Sequence, residues 1–394
     1  MKSKETKKYF ISFEYLKNIL SSFFWFVAFI FLEKLELASL ISLVAISNFI
    51  HGIVGTFFGE KYYQEIFHKK DDETNYFVSN SYCLTISLPI VLVTSLILWF
   101  VGYFGIVEIF AFTISTLLAA TYNLNRGYCL GHGKFKNLSL SASAECIVLL
   151  CSILICIYYP SFCFIFIFRI SLANFILILT KNNKKFILLS QYFNLSDIPL
   201  CFNLMIKSAL HNLDVILVQI NFGPDQQITL KFFNLMSNYF QTILGIYWSS
   251  QIYKFINRAK KVVNYVEMIH SLKIYFLIVI LLIGFLVILF PYWGIIHEVS
   301  VTKSFVNNWQ VCGLVYVCLV IPSLLLSKWP RVILLLSNKI NYSTYINMIY
   351  FVSFCSFSYL ANTFFYFLLF HGLTLLSFSI FYNINVINQF NKRH

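Results

Sequence analysis

Charged residues are scarce in this 394-residue chain: Asp, Glu, Lys and Arg make up only 11% of it. A soluble globular protein carries roughly 25%. Hydrophobic residues reach 59%, and the mean hydropathy is +0.75. This composition excludes a soluble enzyme, a disordered chain and a secreted disulfide scaffold. It indicates an integral membrane protein that crosses the bilayer many times.

The sequence also lacks the short motifs of common enzyme and metal sites. It contains no Walker A loop, no HExxH, no GxSxG and no Asp-rich metal motif, and its ten cysteines include no CxxC pair. We therefore expect no enzyme activity, no metal and no cofactor. The cysteines lie mostly in apolar stretches, and we interpret them as small buried hydrophobic residues.

Long apolar runs such as 272–290 are typical of helices and not of the alternating strands of a membrane barrel. Because a spanning helix needs about 20 apolar residues, the chain divides into twelve predicted spans. They are about 13–32, 37–58, 77–100, 104–124, 138–158, 162–180, 198–220, 227–248, 272–291, 308–327, 344–365 and 367–387. The fold class is therefore all-α integral membrane.

Lysine and arginine fall mainly on one side of the predicted membrane. The N-terminus and every second connecting or terminal segment hold 24 of the 29 basic residues, whereas the opposite side holds only Lys34 and Lys303. Because basic segments remain cytoplasmic, we expect a multi-pass inner-membrane protein with both termini in the cytoplasm. The net charge of +13 reflects this topology and favours anionic membrane lipids, not nucleic acid.

Two pairs of segments match at corresponding positions along the chain. They are SNFIHGIVGTFF at 47–58 with SNYFQTILGIYW at 237–248, and R-x3-L-x3-K at 126–134 with the same spacing at 331–339. The matched segments keep the same orientation, which predicts a parallel repeat of six helices per half. The predicted domains are 1–185 and 186–394.

Polar residues follow one helical face of the spans 198–220 and 227–248, and further polar residues lie in the first half. Charges at the centre of a bilayer cost about 2.5–3.5 kcal/mol on insertion scales, so full-length polar faces favour a hydrated central cavity. Interhelical hydrogen bonding is the alternative. The predicted cavity-lining residues are Lys231, Lys207, Arg169, Asn234, Asn238, Gln241, Asn203, Asn48 and His51.

The interior charge is mainly cationic, which suits an anionic cargo because Lys and Arg pair well with phosphates. Asn and Gln can hydrogen-bond sugar hydroxyls, so a pyrophosphate-linked glycan would use both kinds of side chain. For Arg169 a structural ion pair with Glu145 is an equally good interpretation.

With its HNLDVIL at 211–217, its SNYFQTILG at 237–245 and the R-x3-L-x3-K segment, the chain resembles the polysaccharide branch of the multidrug/oligosaccharidyl-lipid/polysaccharide (MOP) exporter superfamily, particularly the Wzx-type O-antigen flippases. The resemblance implies a MATE-like fold around a central cationic cavity. It implies alternating-access translocation of undecaprenyl-pyrophosphate-linked oligosaccharide across the bacterial inner membrane. Other polysaccharide-assembly proteins are then candidate partners, and Asp214, His211 and Glu145 are candidates for proton coupling.

Two other functions remain open at this point. A cation-coupled drug exporter of the same superfamily would need a net acidic cavity, which the interior Lys and Arg disfavour. An O-antigen polymerase or ligase would carry a sizeable outer loop, whereas the longest predicted outer loop spans only about 292–307.

Overall fold

A computed structural model describes residues 2–67, 73–102, 104–179, 214–235 and 340–391, together with scattered residues between 205 and 323. Every regular element in these ranges is helical, as the sequence predicts. The helices are α1 (Lys2–Phe31), α2 (Lys34–Phe67), α3 (Glu73–Val101), α4 (Ile106–Ala119), α5 (Tyr122–Gly131), α6 (Phe135–Tyr158), a 3-10 helix (Pro160–Ile167), α7 (Phe168–Leu179), α8 (Asp214–Phe222), α9 (Ile340–Leu360) and α10 (Phe364–Asn391). Residues 224–235 are also helical.

Seven helical stretches in the described part of the chain are long and apolar enough to cross a membrane. The first six predicted spans and the last two coincide with observed helices to within several residues at most ends. Spans 7 and 8 lie partly, and spans 9 and 10 largely, outside the described residues, so the total of twelve stays a prediction. The protein is a multi-pass membrane protein with an all-helical fold.

The surface of α3 shows the polarity expected of a helix in lipid. Leu92, Leu96 and Phe100 are exposed, whereas the hydroxyl groups of Ser87 and Ser95 are buried and donate to carbonyls one turn earlier. In lipid every polar group must find a partner inside the protein. The named apolar residues of α3 therefore face outward, whereas these two serines are turned into the protein.

The fourth predicted span is broken between α4 and α5. Carbonyls near the break cannot all find partners in their own helix, and side chains of α3 and α7 supply them. Cys83 Sγ donates to the carbonyl of Ala120 at 3.0 Å, and Asn174 Nδ2 donates to the carbonyl of Leu118. Asn125 Nδ2 completes this buried group with a bond to Asn174 Oδ1 at 2.7 Å.

Two compact units divide the chain, Met1–Ile228 and Thr229–His394. In the first unit α1 packs along α6, α2 along α5, and α7 against both α4 and α6. In the second unit α9 packs against α10. The segment around the predicted boundary at 185 lies outside the described residues, so the division into 1–185 and 186–394 stays a prediction.

One hydrogen bond occurs in both units at matching positions. Ser171 Oγ donates to the carbonyl of Ser115 at 2.7 Å, and Ser379 Oγ donates to the carbonyl of Ser323 at 2.9 Å, each across 56 residues. The first bond joins predicted spans 6 and 4, and the second joins spans 12 and 10. This recurrence agrees with the predicted parallel repeat.

Candidate functional site

Four charged side chains meet inside the first unit, where α1, α5 and α6 come together. Lys17 Nζ lies 3.0 Å from Glu14 Oε2 and 3.4 Å from Glu145 Oε2, and Arg126 Nη2 lies 3.1 Å from Glu14 Oε2. The side chains of Lys17 and Glu145 are only 12% and 8% exposed. We call these four residues the charge cluster.

The helices dictate this meeting. Glu14 and Lys17 lie three residues apart on α1, so they occupy the same face one turn apart. α6 packs along α1 and presents Glu145 to that face. α5, displaced by the break after α4, brings in Arg126. Two carboxylates thus balance two cations, which lets charges stay buried in a spanning bundle.

The charge cluster is incompletely satisfied. Glu145 Oε2 and Arg126 Nε are buried and make no hydrogen bond with any residue that the structure describes. Lys17 Nζ and Glu145 Oε2, 3.4 Å apart, therefore attract each other electrostatically but do not form a hydrogen bond. Tyr122, buried on α5, lies within electrostatic range of all four members of the cluster.

Arg169 lies on α7, where it contacts an aromatic residue. Its Nη1 donates to the carbonyl of Phe166 at 3.2 Å, and its guanidinium carbon lies 4.0 Å from the centre of the Phe166 ring. Phe24 stacks on the same ring at 3.9 Å, so arginine and phenylalanine occupy opposite faces. Within the described part of the chain, no carboxylate lies within 4 Å of Arg169, and Glu145 pairs instead with Lys17.

His51 lies on α2, close to Arg169. Its imidazole is 9% exposed, its Nδ1 has no hydrogen-bond partner among the described residues, and its ring centre is 6.1 Å from that of Tyr122. Arg169 lies within electrostatic range of His51, Tyr122 and Glu145. Asn48, one turn before His51, is half-buried. Arg169 and His51 therefore lie within electrostatic range of each other, and both lie near Tyr122, which is within range of the charge cluster.

The remaining predicted site residues are described only in part. Asp214 is 3% exposed and its Oδ1 accepts the backbone N–H of Val215 at 2.8 Å. In the second unit, Asn234 Oδ1 accepts the hydroxyl of Tyr316, and Lys231 is half-buried. The predicted residues outside the described part are Lys207, Asn203, His211, Asn238 and Gln241.

Sequence reasoning underrated two groups of residues. Glu14 and Lys17 allow an interfacial interpretation from sequence, whereas the structure buries Lys17 between two carboxylates. Gln227, which starts the polar face of span 227–248, is fully buried and donates to Ser42 Oγ at 2.8 Å and to Gln219 Oε1 at 3.2 Å. The amide of Gln227 therefore joins neighbouring helices by hydrogen bonds and does not line a cavity.

No protein-family model and no curated protein matches the sequence. Solved structures do match it over nearly its whole length. The inward-facing conformation of a multidrug resistance MATE family transporter of the MOP superfamily aligns with a TM-score of 0.61 at 10% identity, covering 95% of this chain and 94% of that one. The outward-facing conformation aligns with a TM-score of 0.60 at 11% identity, covering 98% and 96%.

A third match is a MOP superfamily transporter from Pyrococcus furiosus, described as having a binding pocket of reverse polarity that suggests a different function. It aligns with a TM-score of 0.61 at 13% identity, covering 98% of this chain and 96% of that one. At such low identity the likeness concerns the fold alone. The chain therefore has a MATE-like fold, as the sequence predicts.

Proposed function

We propose that this protein is a transporter that moves undecaprenyl-pyrophosphate-linked oligosaccharide across the bacterial inner membrane by alternating access. The MATE-like fold over the full chain supports a transporter. The sequence resemblance to Wzx-type flippases, the predicted cationic cavity and the predicted cytoplasmic position of the basic segments support this cargo and this orientation. Substrate-binding residues are then Arg169, Lys207 and Lys231 for phosphate, with the Asn, Gln and His side chains of the predicted cavity for sugars.

The observation that carries the proposal is that the guanidinium of Arg169 contacts no carboxylate of the described residues. A cation in a spanning helix normally pairs with a carboxylate, and the carboxylates of Glu14 and Glu145 are already occupied by Lys17 and Arg126. Arg169 instead lies on the ring of Phe166, within electrostatic range of His51. An aromatic face stabilises a guanidinium, and the N–H groups of Arg169 other than the one bonded to the carbonyl of Phe166 are able to bind a phosphate.

Complementation of a deletion strain tests the proposal. Arg169→Ala and Lys231→Ala are expected to abolish surface polysaccharide while the protein remains in the membrane at normal levels. Lys136→Ala, at an exposed position in the first turn of α6, serves as a matched charge-removal control and should leave polysaccharide unchanged. Normal polysaccharide in both interior variants would overturn the proposal.

A drug exporter is the second candidate, because two of the matched structures are multidrug resistance transporters. Cationic drugs need an acidic site. In the described part of the first unit the carboxylates of the charge cluster are balanced by Lys17 and Arg126, and the interior residues Arg169 and Asp214 add one charge of each sign, so this region carries no excess of acidic charge. A drug-susceptibility panel on the deletion strain separates the two functions: unchanged susceptibility with lost polysaccharide favours the flippase, and the reverse favours the exporter.

Proton coupling is part of the proposed cycle. Glu145, Asp214 and His211 are the proposed proton carriers, and Glu145 Oε2 is buried without a hydrogen bond among the described residues. In the structure its cationic neighbour is Lys17, whose Nζ lies 3.4 Å from this oxygen. Glu145→Gln is expected to remove the dependence of transport on the pH gradient; transport that keeps this dependence would exclude Glu145 from the coupling.

A further inference from the structure

Two cysteines face each other across the turn that joins α6 to the 3-10 helix. Cys156 lies two residues before the end of α6, and Cys163 is the fourth residue of the 3-10 helix. The two residues are 0% and 4% exposed, and their side chains lie within hydrogen-bond reach of each other. Both are thiols in this structure. We call them the cysteine pair.

The cysteine pair lies close to one surface of the membrane. An α-helix rises roughly 1.5 Å per residue and a 3-10 helix roughly 2.0 Å, so each cysteine lies within about 6 Å of the turn at Tyr159 and Pro160. Tyr158, Tyr159 and Phe162 at this turn are exposed. Exposed tyrosines are typical of the interface between membrane and water. The turn therefore lies at that interface.

This turn is on the predicted outer side. α6 is the fifth predicted span and the N-terminus is predicted to be cytoplasmic, so α6 ends outside. Glu36, in the first turn of α2, lies within electrostatic range of both thiols. The pair is thus at the same end of the unit as the predicted outer turn between α1 and α2. Disulfides persist in oxidising compartments and are rare in the cytoplasm.

The placement of the cysteine pair suits a covalent bond. Sulfurs within hydrogen-bond reach are about 2 Å farther apart than bonded sulfurs, and small changes in the side-chain torsions close such a gap. A hydrogen bond between two thiols is weak. The thiol form therefore contributes little to holding the turn together, whereas a disulfide would fix it.

The 3-10 helix needs such support. It runs for eight residues, although 3-10 helices longer than 3–4 residues are uncommon because their hydrogen-bond geometry is poor. Phe166 lies three residues after Cys163, which places both on the same side of this helix. The ring of Phe166 carries the guanidinium of Arg169. A bond at Cys163 would therefore fix the segment that positions Arg169.

From this geometry we propose that Cys156 and Cys163 form a disulfide that staples the outer end of α6 to the 3-10 helix. One cysteine thiolate attacks the disulfide of a thiol-oxidising protein in the outer compartment, and the second thiolate attacks the mixed disulfide that results. The cysteine pair loses two protons and two electrons, and the oxidant's disulfide becomes a dithiol. Because both sulfurs are buried in the folded protein, the oxidation takes place while the turn is being inserted. The inference goes beyond the proposed function and does not depend on the cargo.

Thiol trapping tests the disulfide. The chain has ten cysteines, so a variant that keeps only Cys156 and Cys163 is expressed in its own host. Membranes are quenched in acid, and the full chain is denatured in SDS and treated with maleimide-polyethylene glycol, with and without prior reduction. We expect no added mass without reduction and two additions after it. Two additions without reduction would overturn the proposal.

A second pair on α6 provides the matched control. Cys151 and Cys156 are five residues apart on one helix, about 7.5 Å along its axis, beyond the ~6.8 Å that a disulfide spans between Cα atoms. A variant that keeps only these two cysteines should gain two additions with or without reduction. Growth of cells carrying the Cys156–Cys163 variant in dithiothreitol should likewise give two additions without later reduction.

Thermal unfolding tests the staple. For the purified parent we expect reductant to lower the unfolding midpoint by several degrees. The double variant Cys156→Ala with Cys163→Ala should have the lower midpoint whether or not reductant is present. A parent midpoint that reductant leaves unchanged would overturn the staple. Because neither assay measures transport, these results are separate from any failure of the proposed function.

Discussion

Lys17 Nζ lies 3.4 Å from Glu145 Oε2. Glu145 is therefore the partner of Lys17 on α1 and does not form the ion pair with Arg169 that the sequence allows as an alternative. The cations in this part of the first unit therefore have two different roles. Lys17 and Arg126 neutralise Glu145 and Glu14, and Arg169 is left without a contacting carboxylate among the described residues. A balanced structural cluster thus stands beside a cation that can bind a ligand.

Removal of Lys17 should destabilise the protein. Lys17→Met leaves the buried Glu145 without its counter-charge, and breaking a buried pair from one side costs about 3–5 kcal/mol in soluble proteins. We expect a lower midpoint in thermal or SDS unfolding. The double variant Lys17→Met with Glu145→Gln should recover part of the loss, because it removes both charges together. A double variant as unstable as the sum of the two singles would contradict the pairing.

Arg126→Met should cost less than Lys17→Met. The Arg126 side chain is 33% exposed, against 12% for Lys17, and it contacts only one carboxylate. Water can therefore replace part of what the arginine supplies, and we expect a loss of about 1 kcal/mol. The same unfolding assay ranks the two variants. An effect of Arg126→Met larger than that of Lys17→Met would show that Arg126, and not Lys17, is the main counter-charge of the cluster.

The repeated serine contacts should behave alike. Ser171→Ala and Ser379→Ala each leave a carbonyl on the neighbouring span without its donor, and each should cost about 0.6–1 kcal/mol, the usual range for interhelical bonds in membranes. Ser143→Ala is the control, because Ser143 Oγ donates within its own helix, to Leu140. Unequal losses at Ser171 and Ser379 would mean that the two contacts are not equivalent parts of a repeat.

Asn174 should matter more than either serine. Its Nδ2 donates to the carbonyl of Leu118 and to Thr121 Oγ1, and its Oδ1 accepts from Asn125. Asn174→Leu leaves several buried groups at the break between α4 and α5 without partners, at about 1–3 kcal/mol for each unpaired group. We expect a marked fall in the unfolding midpoint and in the purified yield. Stability equal to that of the parent would show that the break does not depend on α7.

Sequence patterns predicted the fold well because lipid imposes a strong and local constraint. An apolar run such as 138–158 has to be a helix, and it begins three residues after the start of α6 and ends at the same residue. The parallel repeat was also visible from sequence, through 47–58 and 237–248, and the contacts of Ser171 and Ser379 agree with it.

Pairings between side chains were harder to predict. Glu14 and Arg126 lie 112 residues apart, and nothing in a single sequence states that the break after α4 brings them together. Nearness along the chain suggests Glu145 as the partner of Arg169. In the structure, α1 packs on α6, and Glu145 pairs with Lys17. Polar periodicity correctly marked Gln227 as facing inward, but periodicity alone cannot distinguish a packing contact from a cavity wall.

The central claim is that Arg169 binds the phosphate of a lipid-linked cargo. Its most direct test is the translocation of fluorescent undecaprenyl-pyrophosphate oligosaccharide by purified protein in lipid vesicles, comparing the parent, Arg169→Gln and the exposed-charge control Lys134→Gln. We predict that Arg169→Gln, folded and monodisperse, moves the lipid at least tenfold more slowly, while Lys134→Gln retains the parent rate. Translocation by Arg169→Gln at the parent rate would contradict the claim.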